Sequence, residues 1–403
     1  MPTDTLPHSA LAKHRRRTIF IAGPSTPKGG GMFKVADYLV QSQTRPVSAQ
    51  TSAMTQAELR LLDTRGDGSA LSSLAVLTLA LGKLLLCRLR GELVGVHVNV
   101  AERLSLFRKG VLIVASRALG VPVVLHLHAA QLHHVYPSLP WPLQSLTRWV
   151  FSLPQSCVVL GQVSRQFVIE ELDVPAQRVE IVNNGVPEPT EARRESDPDG
   201  VQRVLFVGNL SERKGLSDLL AALALPGFDR RQVDVLIAGG GDVTKYQARA
   251  NALGLKHLVH FSGWVDQPDV ARLMATADVL VLPSYDEGLP LVILEALANG
   301  VAVVCSPVGE IGSVLTDGVD AVFVPPGDPS ALTAGLQRVL RNPVLRQTLE
   351  INGRRLYAKN YSVQRFFSEI SRLHQRHFGV SAQSQPNPSS DGNTRAISAA
   401  DPI

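Results

Sequence analysis

The sequence predicts an α/β protein built from two open parallel sheets that face each other across a cleft. In both halves of the chain, short runs rich in β-branched residues alternate with helix-like stretches, as parallel sheets with covering helices require. A glycine-rich turn, GPSTPKGGG or GNLSERKG, follows the first such run of each half. The length of 403 residues also suits two domains better than one.

The predicted strands fall into two groups separated by a linker rich in proline and charge, NGVPEPTEARRESDPDG. Open α/β sheets bind ligands at the carboxyl ends of their strands, so two facing sheets predict a binding cleft. The strands of the first half are predicted at 18–22, 94–98, 122–127 and 157–160, and those of the second at 204–208, 234–240, 258–263, 278–284 and 301–306.

These groups divide the chain into segments. A basic extension covers 1–17, a first domain 18–190 and a second domain 201–361, followed by a helical stretch over 362–378. Residues 381–403 are rich in Ser, Pro, Asn and Ala without an apolar period, which predicts a disordered, solvated tail.

Composition and cysteine placement favour an ordinary cytosolic protein. The chain is 45% hydrophobic and 19% charged, and its first residues lack the apolar stretch of a signal peptide. Cys87, Cys157 and Cys305 lie in apolar runs without C-x-x-C spacing. This pattern predicts buried thiols in a reducing compartment rather than disulfides or a zinc site.

Charge is concentrated in the first half, where residues 1–190 carry +7 while the remainder carries −2. Such a half can meet an anionic membrane face, to which each basic residue near the surface adds ~1 kcal/mol. The alternative is a solvated surface that keeps the protein soluble. Nucleic acid is not expected as a partner, because no aromatic-interleaved basic patch accompanies the charge. The apolar window 70–87 falls short of the ~20 residues of a membrane span and predicts a buried or interface-seeking helix.

The segment SYDEGLPLVILEALANG places Glu287 and Glu295 eight positions apart. After Pro290 it has apolar groups on every face, which predicts a helix buried on all sides. A carboxylate at position 295 therefore needs either neighbouring protein donors or the donor groups of a ligand. Glu287 precedes this helix in a Gly-Pro turn whose first free N–H groups attract polar or anionic atoms.

The turn GNLSERKG brings Arg213 and Lys214 to the start of another helix. Charge-assisted bonds and backbone N–H groups can act there on one anion, such as a phosphate. The same turn can equally be a strand-to-helix connection with exposed cations.

Several motifs in order resemble glycosyltransferase family four, the retaining sugar transferases with two Rossmann-like domains, known as the GT-B fold. GNLSERKG, AGGGD, FSGWV, PSYDEGLPLVILEALANGVAVV and GVDAVFVPPGD carry the resemblance, which extends over roughly 18–378. It implies that the first domain binds the acceptor, the second binds a nucleotide sugar, and the helix over 362–378 packs back on the first domain.

The resemblance also implies roles for single residues. Glu287 and the turn after it would hold the donor sugar, and Glu295 would bind the nucleotide ribose hydroxyls. Arg213 and Lys214 would neutralise the leaving diphosphate, and His128 would lie near the sugar, with His126 two residues before it. The other implied donor-binding residues are Gly208, Gly288, Leu289, Pro290 and Leu291, and the implied phosphate or acceptor loop is Gly29, Gly30 and Gly31.

Retaining members of this fold react on one face of the sugar, so Glu287 is not expected to be a nucleophile. The only Asp-x-Asp, Asp197 and Asp199, lies in the linker, so we expect activity without a metal or other cofactor. Ser313 stands where the family has a Glu, which puts a helix-capping or loop contact in doubt.

The sequence HLHAAQ resembles that of one branch of the family. This branch transfers α-mannose from GDP-mannose to polyprenyl-diphosphate-linked cellobiose in bacterial exopolysaccharide assembly of the acetan and xanthan type. Such an acceptor fits a cytoplasmic protein held peripherally at the anionic inner face of the membrane. The alternatives are a UDP-glucose or UDP-N-acetylglucosamine transferase of the same family, or a non-catalytic nucleotide-sugar-binding module. A dehydrogenase is least favoured, because neither glycine loop has the full dinucleotide fingerprint.

Overall fold

The computed structural model describes residues 17–26, 30–43, 56–66, 68, 70–101, 104–129, 131–192 and 200–383, and its strands within them form two six-stranded parallel sheets. The first sheet has the order β2-β1-β3-β4-β5-β6 and contains β1 (Thr18–Gly23), β2 (Glu58–Asp63), β3 (Leu93–Val100), β4 (Val123–Leu127), β5 (Ser156–Val159) and β6 (Val179–Ile181). Its helices are α1 (Gly31–Gln41), α2 (Ala70–Leu89), α3 (Leu104–Ala118), α4 (Leu132–Val135), α5 (Trp141–Ser152) and α6 (Gln162–Glu170).

The second sheet has the order β12-β11-β10-β7-β8-β9. Its strands are β7 (Gln202–Val207), β8 (Val233–Ala238), β9 (Val259–Gly263), β10 (Val279–Leu282), β11 (Ala302–Cys305) and β12 (Val322–Phe323). The helices that follow are α7 (Leu216–Ala224), α8 (Val243–Ala252), α9 (Gln267–Thr276), α10 (Leu291–Asn299), α11 (Ile311–Val314), α12 (Pro329–Leu340), α13 (Pro343–Asn360) and α14 (Val363–Phe378).

The predicted fold class is confirmed, and all nine predicted strands are present. The sequence patterns missed β2, β6 and β12, which are all edge strands. β6 and β12 have three and two residues, and β2 carries charged residues at both ends, so none shows a strong apolar run. The three cysteines are buried and unpaired, as predicted.

Each sheet has a point where the strand order reverses, between β1 and β3 in the first and between β7 and β10 in the second. The loops that leave such neighbouring strands diverge to opposite faces and open a crevice at the carboxyl edge. The loop after β7 carries Arg213 and Lys214, and the loop after β10 carries Glu287. The sheet topology therefore brings together residues that lie more than seventy positions apart.

Helix α2 is 20 residues long and mostly exposed, which excludes the buried alternative and leaves the interface-seeking one. Residues Ser72–Leu89 have a mean hydropathy of 1.6, and 28% of them are buried. By length and composition alone, this segment is long and apolar enough to cross a bilayer. The expectation that the segment falls short of a span was therefore wrong. The side chains that face the sheet repeat every three or four residues and are Ser73, Leu77, Ala80, Leu84 and Cys87.

Helix α14 returns from the second domain and packs against β3 and α1 of the first. A side chain at Gly95 would collide with the ring of Phe378, so glycine permits this close approach. The predicted tail begins too early, because Ser381 pairs with Gln56 and Ala382 is buried. Residues 384–403, the linker pair Asp197 and Asp199, and residues 1–16 of the extension lie outside the described residues.

A chain of buried imidazoles connects α14 to the first sheet. His97 on β3 lies with Nδ1 2.9 Å from His374 Nε2 and with Nε2 3.2 Å from His126 Nδ1 on β4. The ring centroids of His126 and His128 lie 4.1 Å apart, with the rings tilted by 35°. Burial lowers the pKa of all four histidines, to about 3 for His128 and His374. The chain is therefore neutral at pH 7, and each ring can donate one hydrogen bond and accept one.

This burial predicts that acid destabilises the fold. Above the unfolded-state pKa of about 6.5 both states are neutral, whereas below it the unfolded chain takes up protons that the folded chain refuses. Each buried histidine should then lower the free energy of unfolding by about 1.4 kcal/mol per pH unit, from about 6.5 down to its folded pKa. Denaturant unfolding of wild type and His374→Gln between pH 7.5 and 5 should give a shallower slope for the variant. Equal slopes would contradict this account, and exposed His257→Gln serves as the control.

Candidate active site

Glu287 is the centre of the candidate site, at the turn between β10 and α10. Its side chain is 6% exposed, and its Oε1 accepts hydrogen bonds from Lys214 Nζ and from Ser284 Oγ at 2.7 Å. Arg213 Nη1 lies 3.9 Å from Glu287 Oε2. The buried carboxylate of Glu287 thus faces two cations at the crevice of the second sheet.

The turn that carries the two cations is shaped by Gly215. This residue has φ 68°, and a Cβ there would collide with the carbonyl oxygen of Pro283. The close approach lets Tyr285 N donate to Arg213 O at 2.8 Å and Arg213 Nη1 donate to Asp286 O at 2.7 Å. The loops after β7 and β10 therefore hold each other in place. The predicted residue Gly208 lies beside Lys214, because a Cβ on this glycine would be 3.7 Å from Lys214 Cε.

Helix α10 forms as predicted after Pro290, and Gly300 ends it in the left-handed conformation. Most of its side chains are buried, including Glu295 at 6% exposure. Leu289 and Leu291 are also buried, so these two positions contribute packing as well as backbone to the turn.

Glu295 is paired across the cleft by a residue that the sequence patterns did not indicate. Lys34 Nζ, on α1 of the first domain, donates to Glu295 Oε1 at 3.1 Å, and Gln267 Nε2 donates to the same oxygen at 3.2 Å. Burial, followed by the charge of Glu295, raises the pKa of Tyr38. The expected buried carboxylate is thus present, and in this structure protein donors from both domains satisfy it.

The first domain brings its own predicted residues to this point. A Cβ on Gly31 would lie 3.7 Å from Leu291 Cδ1, and a Cβ on Gly288 would lie 3.9 Å from His128 O. Gly30 has φ 62° and directly precedes α1, while Gly29 lies outside the described residues. The glycine turn and the end of β4 therefore adjoin the start of α10 and the Glu287 turn.

His128 is held by a hydrogen bond within the first sheet. Its Nε2 lies 3.0 Å from Asn99 Oδ1, at the end of β3. With that oxygen as acceptor, Nε2 carries the proton and Nδ1 is left as an acceptor. His126 is fully buried behind it and belongs to the imidazole chain.

Glu310 makes a second contact across the cleft that the sequence patterns missed. It is 1% exposed; its Oε1 accepts from Ser164 N and Ser164 Oγ, both at 2.7 Å, and its Oε2 accepts from Val163 N at 3.3 Å. These N–H groups are the free donors at the start of α6. Ser313, which stands at the family's Glu position, donates to Glu310 O at 2.9 Å. Glu310 thus caps the start of α6 from the second domain, and Ser313 contacts its backbone.

We expect Glu310→Ala to destabilise the protein by about 1–3 kcal/mol, because it leaves buried N–H groups at the start of α6 without an acceptor. Chemical denaturation measures this loss. Glu369→Ala is the matched control, since it removes an i,i+4 partner of Arg365 on α14 and should cost under about 1 kcal/mol. Similar losses for the two variants would contradict the capping role.

Comparison with known proteins identifies part of the chain. Residues 188–356 match the family model described as glycosyl transferases group 1. An uncharacterized glycosyltransferase of Methanocaldococcus jannaschii is 30% identical over 223 residues, which is 52% of this chain and 57% of that protein. Phosphatidyl-myo-inositol mannosyltransferase of Mycobacterium leprae is 43% identical over 150 residues, which is 36% of this chain and 38% of that protein. The chain thus spans less than two thirds of these two relatives.

Solved structures extend the likeness to the whole fold. A sucrose-phosphate synthase from Thermosynechococcus elongatus has a TM-score of 0.71 at 18% identity, covering 90% of this chain and 100% of that one. Anabaena HepE in complex with UDP has a TM-score of 0.69 at 18% identity, covering 89% of this chain and 100% of that one. At this identity the likeness concerns the fold alone. Residues 188–356 are therefore a glycosyl transferases group 1 domain, within a chain that has the two-domain GT-B fold.

Proposed function

We propose that the chain is a retaining α-mannosyltransferase that uses GDP-mannose and a polyprenyl-diphosphate-linked saccharide, such as cellobiose, in exopolysaccharide assembly. The observation that carries the proposal is the convergence of Arg213 and Lys214 on Glu287 at the crevice of the second sheet. Mannosyltransferases among the relatives, which match 36% and 57% of this chain, support mannose as the transferred sugar.

The two cations suit the departure of a diphosphate. When the bond between the sugar C1 and the phosphate oxygen breaks, negative charge builds on the leaving oxygens, and preorganised cations stabilise that charge more than the ground state. The new bond forms between C1 and an acceptor hydroxyl oxygen, whose proton passes to the leaving phosphate. Lys214 and Ser284 already hold Glu287 Oε1, which suits Glu287 to binding the sugar rather than to nucleophilic attack.

The remaining site residues have roles that fit their contacts. The Nδ1 atom of neutral His128 can accept a hydrogen bond from a sugar hydroxyl. Glu295 can accept hydrogen bonds from the ribose hydroxyls once the nucleotide displaces or shares its Lys34 and Gln267 partners. Because Lys34 belongs to the first domain, a nucleotide that displaces Lys34 from Glu295 would remove a contact between the two domains and so change how they close.

The acceptor domain has an exposed apolar surface on α2, α3 and α5, which we call the apolar face. These neighbouring helices cover the same side of the first sheet, and α3 contacts both of the others. The large side chains of this surface are more than 40% exposed and are Leu74, Leu79, Leu85, Leu86, Leu89, Leu104, Phe107, Trp141, Leu143, Leu146 and Trp149. An exposed patch of this extent, containing two tryptophans, is typical of an interaction with another apolar surface.

Charge points to an anionic bilayer as the occupant of the apolar face. Its three helices carry six basic residues and no Asp or Glu. The basic residues are Lys83, Arg88, Arg108, Lys109, Arg117 and Arg148. Lys109 is buried, and the others can lie near lipid head groups, where each adds ~1 kcal/mol. We therefore propose peripheral attachment to the cytoplasmic face of the inner membrane.

The apolar face also begins next to the cleft, where a lipid-linked acceptor would have to enter. Each of its helices follows a parallel strand, so each begins at the carboxyl edge of the sheet, which borders the cleft. Leu104, Phe107 and Trp141 belong to the first turns of their helices and are 59%, 62% and 77% exposed. A bilayer against these residues would present a polyprenyl diphosphate close to the cleft.

We expect the purified protein to transfer mannose from GDP-mannose to the lipid-linked acceptor with EDTA present. Lys214→Ala should lower turnover by about 10²–10³, as the loss of one transition-state donor typically does. A radiolabelled-product assay measures the transfer by wild type with EDTA present and the turnover of Lys214→Ala. Lys245→Ala, which removes an exposed lysine paired with Glu212, is the control. Wild-type turnover in folded Lys214→Ala would contradict the leaving-group role, and labelling only from UDP-sugars would contradict the donor.

We expect the protein to float with vesicles that contain anionic lipid, to float less at high salt, and to float poorly with neutral vesicles. Phe107→Ser with Trp141→Ser should weaken flotation at least tenfold, since two large apolar contacts are lost. Trp264→Ser, at a 60% exposed tryptophan of the second domain, is the control. Equal flotation with neutral and anionic vesicles, or unchanged flotation of the double variant, would contradict the proposed membrane face.

A further inference from the structure

The Asp286 carboxylate, next to Glu287, lies buried without full compensation. It is 7% exposed, and within the described part of the chain its Oδ2 has no hydrogen-bond partner. Burial raises the pKa of Asp286, while His133, His134, Gln131 and Arg213 lower it. A buried acceptor oxygen without a donor is costly, so this oxygen marks a position where a donor or a cation is missing.

Two imidazoles approach the Asp286 carboxylate from the other domain. His133 and His134 belong to α4, which follows β4, and their rings lie 3.9 Å apart. One ligand atom from each histidine and one carboxylate oxygen of Asp286 lie within 4.8 Å of one another. His133 is partly exposed and His134 is exposed, so the group is open to solvent.

We propose that His133, His134 and Asp286 form a binding site for a divalent transition metal of the Zn²⁺ type, which links the two domains beside Glu287. Two imidazole nitrogens and one carboxylate oxygen are a donor set that zinc and its neighbours prefer, whereas Mg²⁺ and Ca²⁺ prefer oxygen ligands. The three ligands leave a fourth position for water or a ligand oxygen.

The geometry requires only local movement. Zinc bonds of about 2.0–2.1 Å in a tetrahedron place the ligand atoms roughly 3.3 Å apart, so the side chains must draw together by at most about 1.5 Å. The Asp286 backbone is already held by Arg213, and its carboxylate lies within reach of Gln131. Such supporting contacts orient metal ligands and strengthen binding.

The site is distinct from the charges that act on the diphosphate. Arg213 and Lys214 supply those charges, so transfer of the sugar does not require the metal. Because the ligands come from both domains, the metal stabilises the closed cleft. Bound zinc should therefore regulate access to the Glu287 turn and raise the thermal stability of the free protein.

Calorimetric titration of the chelator-treated full chain with Zn²⁺ tests the proposal without any assay of activity. We expect one equivalent bound with micromolar or tighter affinity, no comparable binding of Mg²⁺, and a rise in melting temperature with zinc. His134→Asn and Asp286→Asn should each weaken zinc binding at least tenfold while leaving the metal-free melting temperature within a few degrees. Co²⁺ in place of zinc should give the visible absorption of a tetrahedral site.

His260→Gln is the matched control, because His260 and Asp234 form a histidine–carboxylate pair on the surface of the second domain, 3.3 Å apart. It should leave zinc binding unchanged. Undiminished binding in His134→Asn and Asp286→Asn, or binding no tighter for Zn²⁺ than for Mg²⁺, would overturn the proposal. Because the measurement reports binding alone, its failure would leave the proposed glycosyl transfer untouched.

Discussion

The arrangement of the cleft depends on one constraint: each carboxylate that the second domain buries must be compensated by a cation or by N–H donors. An unpaired buried charge costs several kcal/mol, so each such group requires a cation or a set of N–H donors. Lys214 compensates Glu287 from within the same domain, whereas Lys34 and the start of α6 compensate Glu295 and Glu310 from the other domain. Two of these three contacts therefore tie the position of the first domain to the chemistry of the second.

The sheets determine why these groups meet at all. Both sheets are parallel, and the strand order reverses once in each, so the loops from neighbouring strands separate to opposite faces and leave backbone N–H groups and side chains around a crevice. Gly215 then permits the loops after β7 and β10 to touch. The cations and Glu287 are consequently fixed before any ligand arrives, which is the condition for electrostatic stabilisation of a transition state.

The return of α14 adds a second connection between the domains. Its His374 ends the imidazole chain that runs through His97 to His126 on the adjoining strands. Within the described residues, His374 Nδ1 and His126 Nε2 have no partner, so one end of the chain carries an unused N–H group. A neutral chain of this kind favours the folded state only where the histidines remain unprotonated.

Sequence patterns were informative where the signal is local. Nine strands, eight of them interior, and α10 with its buried Glu295 could be predicted from periodicity and turn residues. Lys34 and Glu310 could not, because their partners lie 261 and 146 residues away and neither residue belongs to a recognisable motif. The exposure of α2 could not be predicted for a different reason: its sequence is apolar all round, which fits either a buried or an interface-seeking helix, and in the structure one side faces outward.

We propose that the cleft holds the nucleotide diphosphate of a GDP-sugar, and a thermal-shift panel with GDP, UDP, ADP and NAD tests this most directly. A ligand that binds only the native state raises stability with its occupancy. We predict that GDP raises the melting temperature clearly more than the other three nucleotides. Stabilisation by UDP alone would contradict the GDP-mannose donor, and no response to any nucleotide would contradict the assignment of the cleft as a donor site.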